Sequence, residues 1–173
     1  GTDPGQPDAE TGPKRGDGAA KRAGESAGRA AAGPHASVRG SWIFSSYGRN
    51  FVKTMLHHAD TRDRLTVVDD QIGGPTPAAD MAAACIRMAE ALAEDPALTG
   101  TYHYSGAPDV SWADFAREIM DQAGRSVEID GIKTADYPTR AQRPLNSRLD
   151  CSATESAFGL MRPDWRSGLS LVL

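Results

Sequence analysis

The first 34 residues contain no aromatic residue and no Val, Ile, Leu or Met. Gly, Ala, Pro and charged residues dominate this segment, so it cannot bury enough apolar surface to offset the entropy lost on folding. Alanine-rich sequence from about residue 18 to residue 32 still favours a helix, although Gly24 and Gly28 each weaken it by about 1 kcal/mol. We therefore expect a helix whose exposed parts are frayed or disordered.

Apolar patterning begins abruptly near Val38 and continues to the C-terminus. Short β-type runs alternate with runs at helical spacing, which is typical of an α/β fold, but no unbroken series of βαβ units completes a Rossmann sheet. Strands are predicted over residues 37–44, 64–68, 99–104 and 126–132, and helices over residues 50–59, 77–92, 111–122, 152–158 and 164–171.

A strand end, a polar turn, two glycines and a helix start lie together in residues 67–76. Gly73 and Gly74 allow backbone amides to approach a bound group, and Thr76 is predicted to cap the following helix. An ordinary strand-to-helix connection explains the same residues about equally well, since turns of this kind are mostly structural.

Four segments in this order resemble one enzyme family. They are Ser41-Trp42-Ile43-Phe44, then residues 48–56 from Gly48 to Leu56, then residues 67–76 with Asp69-Asp70-Gln71-Ile72-Gly73-Gly74, and finally Arg143-Pro144-Leu145-Asn146-Ser147-Arg148-Leu149. The set resembles dTDP-4-dehydrorhamnose reductase, an extended short-chain dehydrogenase/reductase, over about residue 21 to the C-terminus.

The resemblance covers only the C-terminal part of such an enzyme. It implies an incomplete Rossmann sheet joined to a small α/β substrate domain. Residues 1–34 would then be a partly disordered remnant of the catalytic-helix region, and residues 35–173 the domain that binds the sugar nucleotide. A domain fragment, a reading-frame or gene-boundary error, and a degenerate copy each explain the sequence of the first segment.

Members of this family use NADPH or NADH to reduce a 4-keto sugar nucleotide, and the resemblance implies that reaction. No Gly-x-Gly-x-x-Gly motif follows an apolar strand near the start of this sequence, so the usual cradle for the dinucleotide pyrophosphate is not encoded here. We therefore expect that this chain alone does not bind the cofactor.

The family carries a Tyr-x-x-x-Lys pair on the helix that precedes the strand with Ser41 and Trp42. Lys21 in Lys21-Arg22-Ala23-Gly24-Glu25 matches the family lysine, but Asp17 stands four residues earlier in place of tyrosine. Four residues is one helical turn, which would place both side chains on one face. An ionised aspartate has no proton to give to a carbonyl oxygen, so we expect the chain to be inactive alone.

Several residues are candidates for substrate binding. By resemblance to the family, Trp42 contacts the sugar, although a strand-end tryptophan in the core is an equal alternative on sequence grounds. Arg143 presents a guanidinium suited to a diphosphate, against the alternative of a loop arginine bound to carbonyl groups. The remaining candidates are Asn50 and Lys53 for the diphosphate, Gln71 for sugar or base, and Gly73 and Gly74 for close backbone approach.

Composition excludes several other classes of function. Lys and Arg number 19 against 23 Asp and Glu, giving a net charge of −4 and no basic face typical of nucleic-acid binding. We expect no membrane span, no metal site and a cytoplasmic protein. The two cysteines, Cys85 and Cys151, do not indicate a disulfide framework, and Cys85 is predicted to be a buried helical residue.

The sequence thus predicts a dTDP-4-dehydrorhamnose reductase-like protein that binds a dTDP-sugar. Two alternatives remain at this point. One is a non-catalytic module that binds the sugar nucleotide without turnover, and the other is a structural subunit that pairs with a separate Rossmann chain or forms a homodimer.

Overall fold

A computed structural model describes residues 3–7, 16–30, 33–137 and 143–173. Strands and helices alternate along most of this part of the chain, as expected for an α/β protein. The helices are α1 (Gly16–Ala30), α2 (Phe51–Ala59), α3 (Ala78–Glu94), α4 (Trp112–Gln122), α5 (Ser152–Phe158) and α6 (Trp165–Ser170). The strands are β1 (Ala36–Arg39), β2 (Ile43–Phe44), β3 (Arg64–Val68), β4 (Ile72–Gly73), β5 (Thr76–Pro77), β6 (Gly100–His103), β7 (Val110–Ser111), β8 (Glu128–Ile132) and β9 (Asn146–Ser147).

The strands pair mostly in parallel and in small groups. Strand β1 pairs with β6, β2 with β5, and β3 with β8, each in parallel. Strand β4 lies between β7, which is antiparallel to it, and β9, which is parallel. This arrangement confirms the predicted mixed α/β fold with an incomplete Rossmann-type sheet.

One apolar core joins α2, α4, α6 and the β3–β8 pair. Phe115 of α4 is fully buried at its centre, with ring contacts to Phe44, Phe51 and Trp165. Alternate residues of β3, Leu65 and Val67, point into the same core. Because burial of large aromatic rings dominates core energetics, these contacts fix α2 and α4 against the end of β3.

Most predicted element bounds agree with the structure, and three local expectations are wrong. The strand expected over residues 37–44 is broken, because Trp42 has a left-handed backbone with φ +47°. Thr76 does not cap α3: it lies in β5, and its hydroxyl bonds the Ser41 carbonyl oxygen at 2.8 Å. Cys85 is exposed on α3, although the helical pattern predicted it to be buried.

Helix α1 forms over nearly the residues predicted, and it is tied to the rest of the chain by an ion pair. The Arg39 guanidinium donates to both carboxylate oxygens of Glu25, at 2.9 and 2.7 Å. This pair lowers the pKa of Glu25 and raises that of Arg39. The predicted extension of α1 to residues 31–32 lies outside the described residues.

Candidate functional site

A cavity of about 550 Å³ opens where the C-terminal end of β3 meets α2, α4 and the segment that begins at Arg143. Three aromatic side chains, Trp42, Phe51 and Trp112, form much of its wall. Ligand pockets in proteins are commonly of this size, apolar in lining and supplied with a few polar groups. Among the described residues, the lining is Trp42, Phe51, Met55, Thr66, Val67, Val68, Gln71, Trp112, Tyr137, Arg143, Pro144 and Ser147.

Trp42 reaches the cavity from the sharp bend between β1 and β2. Its ring stacks on Trp112 with the centroids 3.6 Å apart, while Gly73 lies against the Cε2, Nε1 and Cζ2 atoms of the indole. The residue is half-buried and also packs against the main core. The ring of Trp42 thus supports the core and also lines the cavity, and its contact with a sugar remains a prediction.

The paired glycines of the β4–β5 turn are packed against the protein itself. A Cβ on Gly73 would press on the Trp42 ring, and a Cβ on Gly74 would overlap the Gly106 carbonyl oxygen and approach Arg162. Arg162 in turn donates to the Gly106 carbonyl and to Asp109. These intramolecular contacts account for both glycines, and neither residue lines the cavity.

Gln71 enters the cavity wall with its amide orientation fixed by hydrogen bonds. The Thr134 hydroxyl donates to the Asp70 carboxylate at 2.6 Å, and the same Thr134 oxygen accepts from Gln71 Nε2 at 3.0 Å. A hydroxyl has one proton, so Thr134 can only accept from Gln71, and the NH₂ group must face Thr134. Gln71 Oε1 has no hydrogen-bond partner among the described residues and remains available to a ligand.

Asp70 anchors this network at the junction of β3 and β8. Its carboxylate also accepts from the Thr134 backbone N–H at 3.0 Å. The hydrogen bond from the Thr134 hydroxyl lowers the pKa of Asp70 from its ordinary value of 3.8, with burial opposing this effect. Asp70 is therefore ionised near neutral pH and acts only as an acceptor, which preserves the direction of both bonds.

Arg143 lies at the rim of the cavity with an exposed side chain. Within the described part of the chain, its guanidinium forms no hydrogen bond, and its assignment to a diphosphate remains a prediction. The segment after it is held in place by β4, because the Ile72 amide donates to the Leu145 carbonyl at 2.8 Å. The arrangement presents a cation beside an aromatic cavity.

Asn50 and Lys53 lie at the start of α2 and outside the cavity lining. Asn50 is the helix N-cap: its Oδ1 accepts from the Lys53 backbone N–H at 3.2 Å, and its Nδ2 donates to the Ser45 carbonyl at 2.7 Å. The side chain of Asn50 is thus used in local structure. The Lys53 side chain is exposed, and its assignment to a diphosphate remains a prediction.

Lys21 and position 17 both lie on α1, one helical turn apart. Lys21 is exposed and is not part of the cavity lining. The side chain of Asp17 lies outside what the structure describes. The role of Lys21 as the family lysine therefore remains a prediction.

Sequence reasoning missed several residues of the site, among them two aromatic residues and a threonine. Trp112 and Tyr137 line the cavity, and Thr134 orients Gln71 from a distance of 63 residues along the chain. The helix pattern of α4 gave no reason to separate Trp112 from ordinary core residues, and nothing local marks Thr134. Among the described residues, no group of His, Cys, Asp and Glu side chains is placed to hold a metal ion, and no helix is long and apolar enough to cross a membrane.

Comparisons with known proteins place the chain beside one group of enzymes. Residues 1–173 match the family model described as the RmlD substrate binding domain. A dTDP-4-dehydrorhamnose reductase of Sinorhizobium fredii is 42% identical over 161 residues, covering 90% of this chain and 54% of that protein. A reductase of the same name from Aggregatibacter actinomycetemcomitans is 48% identical over 139 residues, covering 76% of this chain and 47% of the relative.

Solved structures show the same likeness. A dTDP-4-dehydrorhamnose reductase of Clostridium acetobutylicum superposes with a TM-score of 0.88 at 31% identity, covering 99% of this chain and 59% of that one. The Bacillus anthracis enzyme, solved in complex with NADP, gives a TM-score of 0.81 at 33% identity, covering 95% of this chain and 56% of that one. The chain thus spans about half the length of the relatives that it matches.

Proposed function

This chain belongs to the RmlD substrate binding domain family, and from that premise we propose that it is the sugar-nucleotide-binding part of a dTDP-4-dehydrorhamnose reductase. In the whole reductase, hydride from NADPH or NADH would reduce C4 of dTDP-6-deoxy-L-lyxo-4-hexulose to give dTDP-L-rhamnose. The role of this chain is to bind and orient the sugar nucleotide. The proposed compartment is the cytoplasm.

The observation that carries the proposal is that one cavity gathers Trp42, Gln71 and Arg143 from three distant segments. Indole and phenyl rings suit the apolar faces of a sugar or a pyrimidine base. The free Oε1 of Gln71 accepts a hydrogen bond from a sugar hydroxyl or from the N3–H of thymine. The Arg143 guanidinium at the rim offers paired donors to a diphosphate. Together these groups match the three parts of a dTDP-sugar.

The glycine turn between β4 and β5 does not suit the nicotinamide cofactor. Its pyrophosphate needs a glycine-rich turn with room for backbone approach, and the space beside Gly74 is already filled by Gly106 and Arg162. We therefore assign the cofactor to the part of the reductase that corresponds to the other half of the relatives. That half would be a Rossmann domain, on the same polypeptide or on a separate one.

Titration calorimetry tests the proposal directly. We expect the 173-residue chain to bind dTDP, and Arg143→Ala to weaken that binding about ten- to a hundredfold through loss of a charge-assisted contact. Arg87→Ala is the matched control, because Arg87 is an exposed arginine on α3 outside the cavity lining. The proposed function would be contradicted if the intact chain did not bind dTDP, or if both variants lost the same amount of dTDP affinity.

Trp42→Ala separates sugar recognition from base and diphosphate recognition. If the ring contacts the sugar, the variant should bind the dTDP-sugar more weakly while its affinity for dTDP stays nearly unchanged. Because Trp42 also stacks on Trp112, the variant should unfold more easily than the intact chain. Equal losses for both ligands would assign Trp42 to the core.

A non-catalytic binding module is the second candidate, and Asp17 is the observation that favours it. A chain that retains the cavity but has aspartate at the tyrosine position would bind the sugar nucleotide without turnover. Adding a Rossmann half from a related reductase separates the two candidates. Turnover in the mixture supports the reductase, and binding without turnover supports the module.

A further inference from the structure

We propose that residues 3–7, here called the N-terminal strap, position the segment that carries Arg143 for ligand binding. That segment, residues 143–150, is called the arginine loop. The inference rests on the proposed function, because it concerns the same dTDP site. It assigns a role to a segment whose composition predicted disorder.

The strap is hydrogen-bonded along the arginine loop as a short parallel β-bridge between Gly5 and Leu149. The Gly5 amide donates to the Arg148 carbonyl at 2.8 Å, and the Asp150 amide donates to the Gly5 carbonyl at 2.9 Å. Asn146 adds a side-chain bond to the Asp3 carbonyl at 2.5 Å. Backbone groups of the strap thus form hydrogen bonds with the polar groups on the outer edge of the loop.

The strap is also bound to the body of the protein. His103, which is 2% exposed, bonds the Gly5 carbonyl oxygen through Nδ1 at 3.0 Å. A carbonyl oxygen only accepts, so Nδ1 carries the proton. Arg39 donates to the Pro7 carbonyl at 3.1 Å while its other nitrogens hold Glu25 of α1. The strap therefore links the arginine loop to the ends of β1 and β6.

On its other side the arginine loop pairs with β4. Asn146 and Ser147 form strand β9, in register with Ile72 and Gly73. The loop is thus held between β4 and the strap, and Arg143 lies three residues before the first paired position. Removing the strap would take away its hydrogen bonds to this edge of the loop, so Arg143 would sample more orientations and bind a diphosphate less tightly.

Sequence composition could not reveal this contact. The strap, Asp3 to Pro7, has no large apolar side chain, and its attachment uses mainly backbone hydrogen bonds. Pro4 and Pro7 restrict its conformations before folding, which reduces the entropy lost when it is bound.

Hydrogen exchange and calorimetry on three variants test the proposal. One variant lacks residues 1–7, a milder one is Gly5→Pro, which removes the N–H that donates to Arg148, and Asp3→Ala is the control that keeps every backbone contact. We expect the first two to speed exchange of the Asp150 amide at least about tenfold and to weaken dTDP about three- to tenfold. Asp3→Ala should change neither the exchange of the Asp150 amide nor the affinity for dTDP.

A double-mutant cycle distinguishes positioning from general support of the fold. If the strap acts through Arg143, removing residues 1–7 in an Arg143→Ala background should cost little further affinity. The same loss in both backgrounds, or unchanged exchange at Asp150, would overturn the proposal. If the intact chain binds no dTDP, the proposed function fails and the positioning role fails with it. Attachment of the strap is then still judged by the exchange measurement.

Discussion

At the scale of single residues, the direction of each hydrogen bond decides what the cavity can recognise. The hydrogen bonds that join Asp70, Thr134 and Gln71 have one consistent assignment of protons, and that assignment leaves the Gln71 carbonyl oxygen without a partner among the described residues. An amide that was free to rotate would offer a donor or an acceptor with equal ease. We therefore expect Gln71 to favour a ligand group that donates a hydrogen bond.

Replacing Thr134 tests this orientation. Thr134→Val keeps the shape of the side chain but removes the hydroxyl, so the Gln71 amide loses its fixed orientation, and dTDP affinity is expected to fall about three- to tenfold. Thr134→Ser retains the hydroxyl and should bind like the intact chain. Calorimetry with dTDP and with N3-methyl-dTDP identifies the donor. Equal affinity of the valine and serine variants for dTDP and also for the dTDP-sugar would contradict the assigned role of Thr134.

His103 predicts a pH dependence of stability. Burial lowers the pKa of His103 from its ordinary value of 6.5, the positive charge of Arg39 acts in the same direction, and the bond to Gly5 opposes both. The unfolded chain then binds a proton more readily than the folded chain. The free energy of unfolding should therefore be fully retained above pH 6.5 and decrease as the pH falls below it.

Denaturant unfolding between pH 7.5 and pH 5 measures this effect. His103→Asn keeps a side-chain donor and should show a flatter pH dependence than the intact chain. The control is His57→Asn, since His57 is exposed on α2. If the free energy of unfolding of His103→Asn depends on pH as steeply as that of the intact chain, His103 does not cause the pH dependence.

At the scale of elements, packing around the turn between β4 and β5 requires a glycine at position 74. Gly74→Ala would place a methyl group against the Gly106 carbonyl oxygen, which is backbone and cannot rotate away. We expect the variant to lose about 1–3 kcal/mol in free energy of unfolding, as measured with denaturant. The folded fraction should still bind dTDP, because Gly74 lies outside the cavity lining.

A second glycine provides the contrast. A Cβ on Gly24 of α1 would meet nothing within 4 Å beyond the helix's own backbone, so Gly24→Ala should increase helix content and stabilise α1 by up to about 1 kcal/mol. Circular dichroism measures the helix content. If Gly74→Ala instead left stability unchanged and abolished dTDP binding, the glycine would contact the ligand as the sequence had suggested.

At the scale of the whole molecule, the chain is expected to bind without catalysing. Purified residues 1–173 should show no substrate-dependent oxidation of NADPH, because the sequence holds no dinucleotide fingerprint and has Asp17 four residues before Lys21, where the family resemblance implies a tyrosine. Asp17→Tyr should not restore activity, since the cofactor site would still be missing. Absorbance at the NADPH band measures the rate. Activity in either protein would show that a dinucleotide site had been overlooked.

The alternation of strands and helices could be predicted because it depends on local periodicity and capping. Strand β3 occupies the residues expected from its apolar pattern, and α4 begins after the Ser111 cap, whose hydroxyl accepts from the Asp114 amide. The α/β class and the likeness to one reductase family follow from such local features and from the order of four segments. Trp42, Gln71 and Arg143 were candidates for the site because they lie in those four segments and carry suitable side chains.

Contacts between residues far apart in sequence decided how the candidate site is arranged. Trp42 stacks on Trp112, Thr134 orients Gln71, and Gly5 holds the loop after Arg143, and each pair is joined only when the chain is folded. Local propensity could place a strand over residues 37–44, but packing of the Trp42 ring against Gly73 and Trp112 accompanies a left-handed bend there. Side-chain identity and periodicity specify the elements. The shape of the cavity and the direction of its hydrogen bonds depend on how those elements pack.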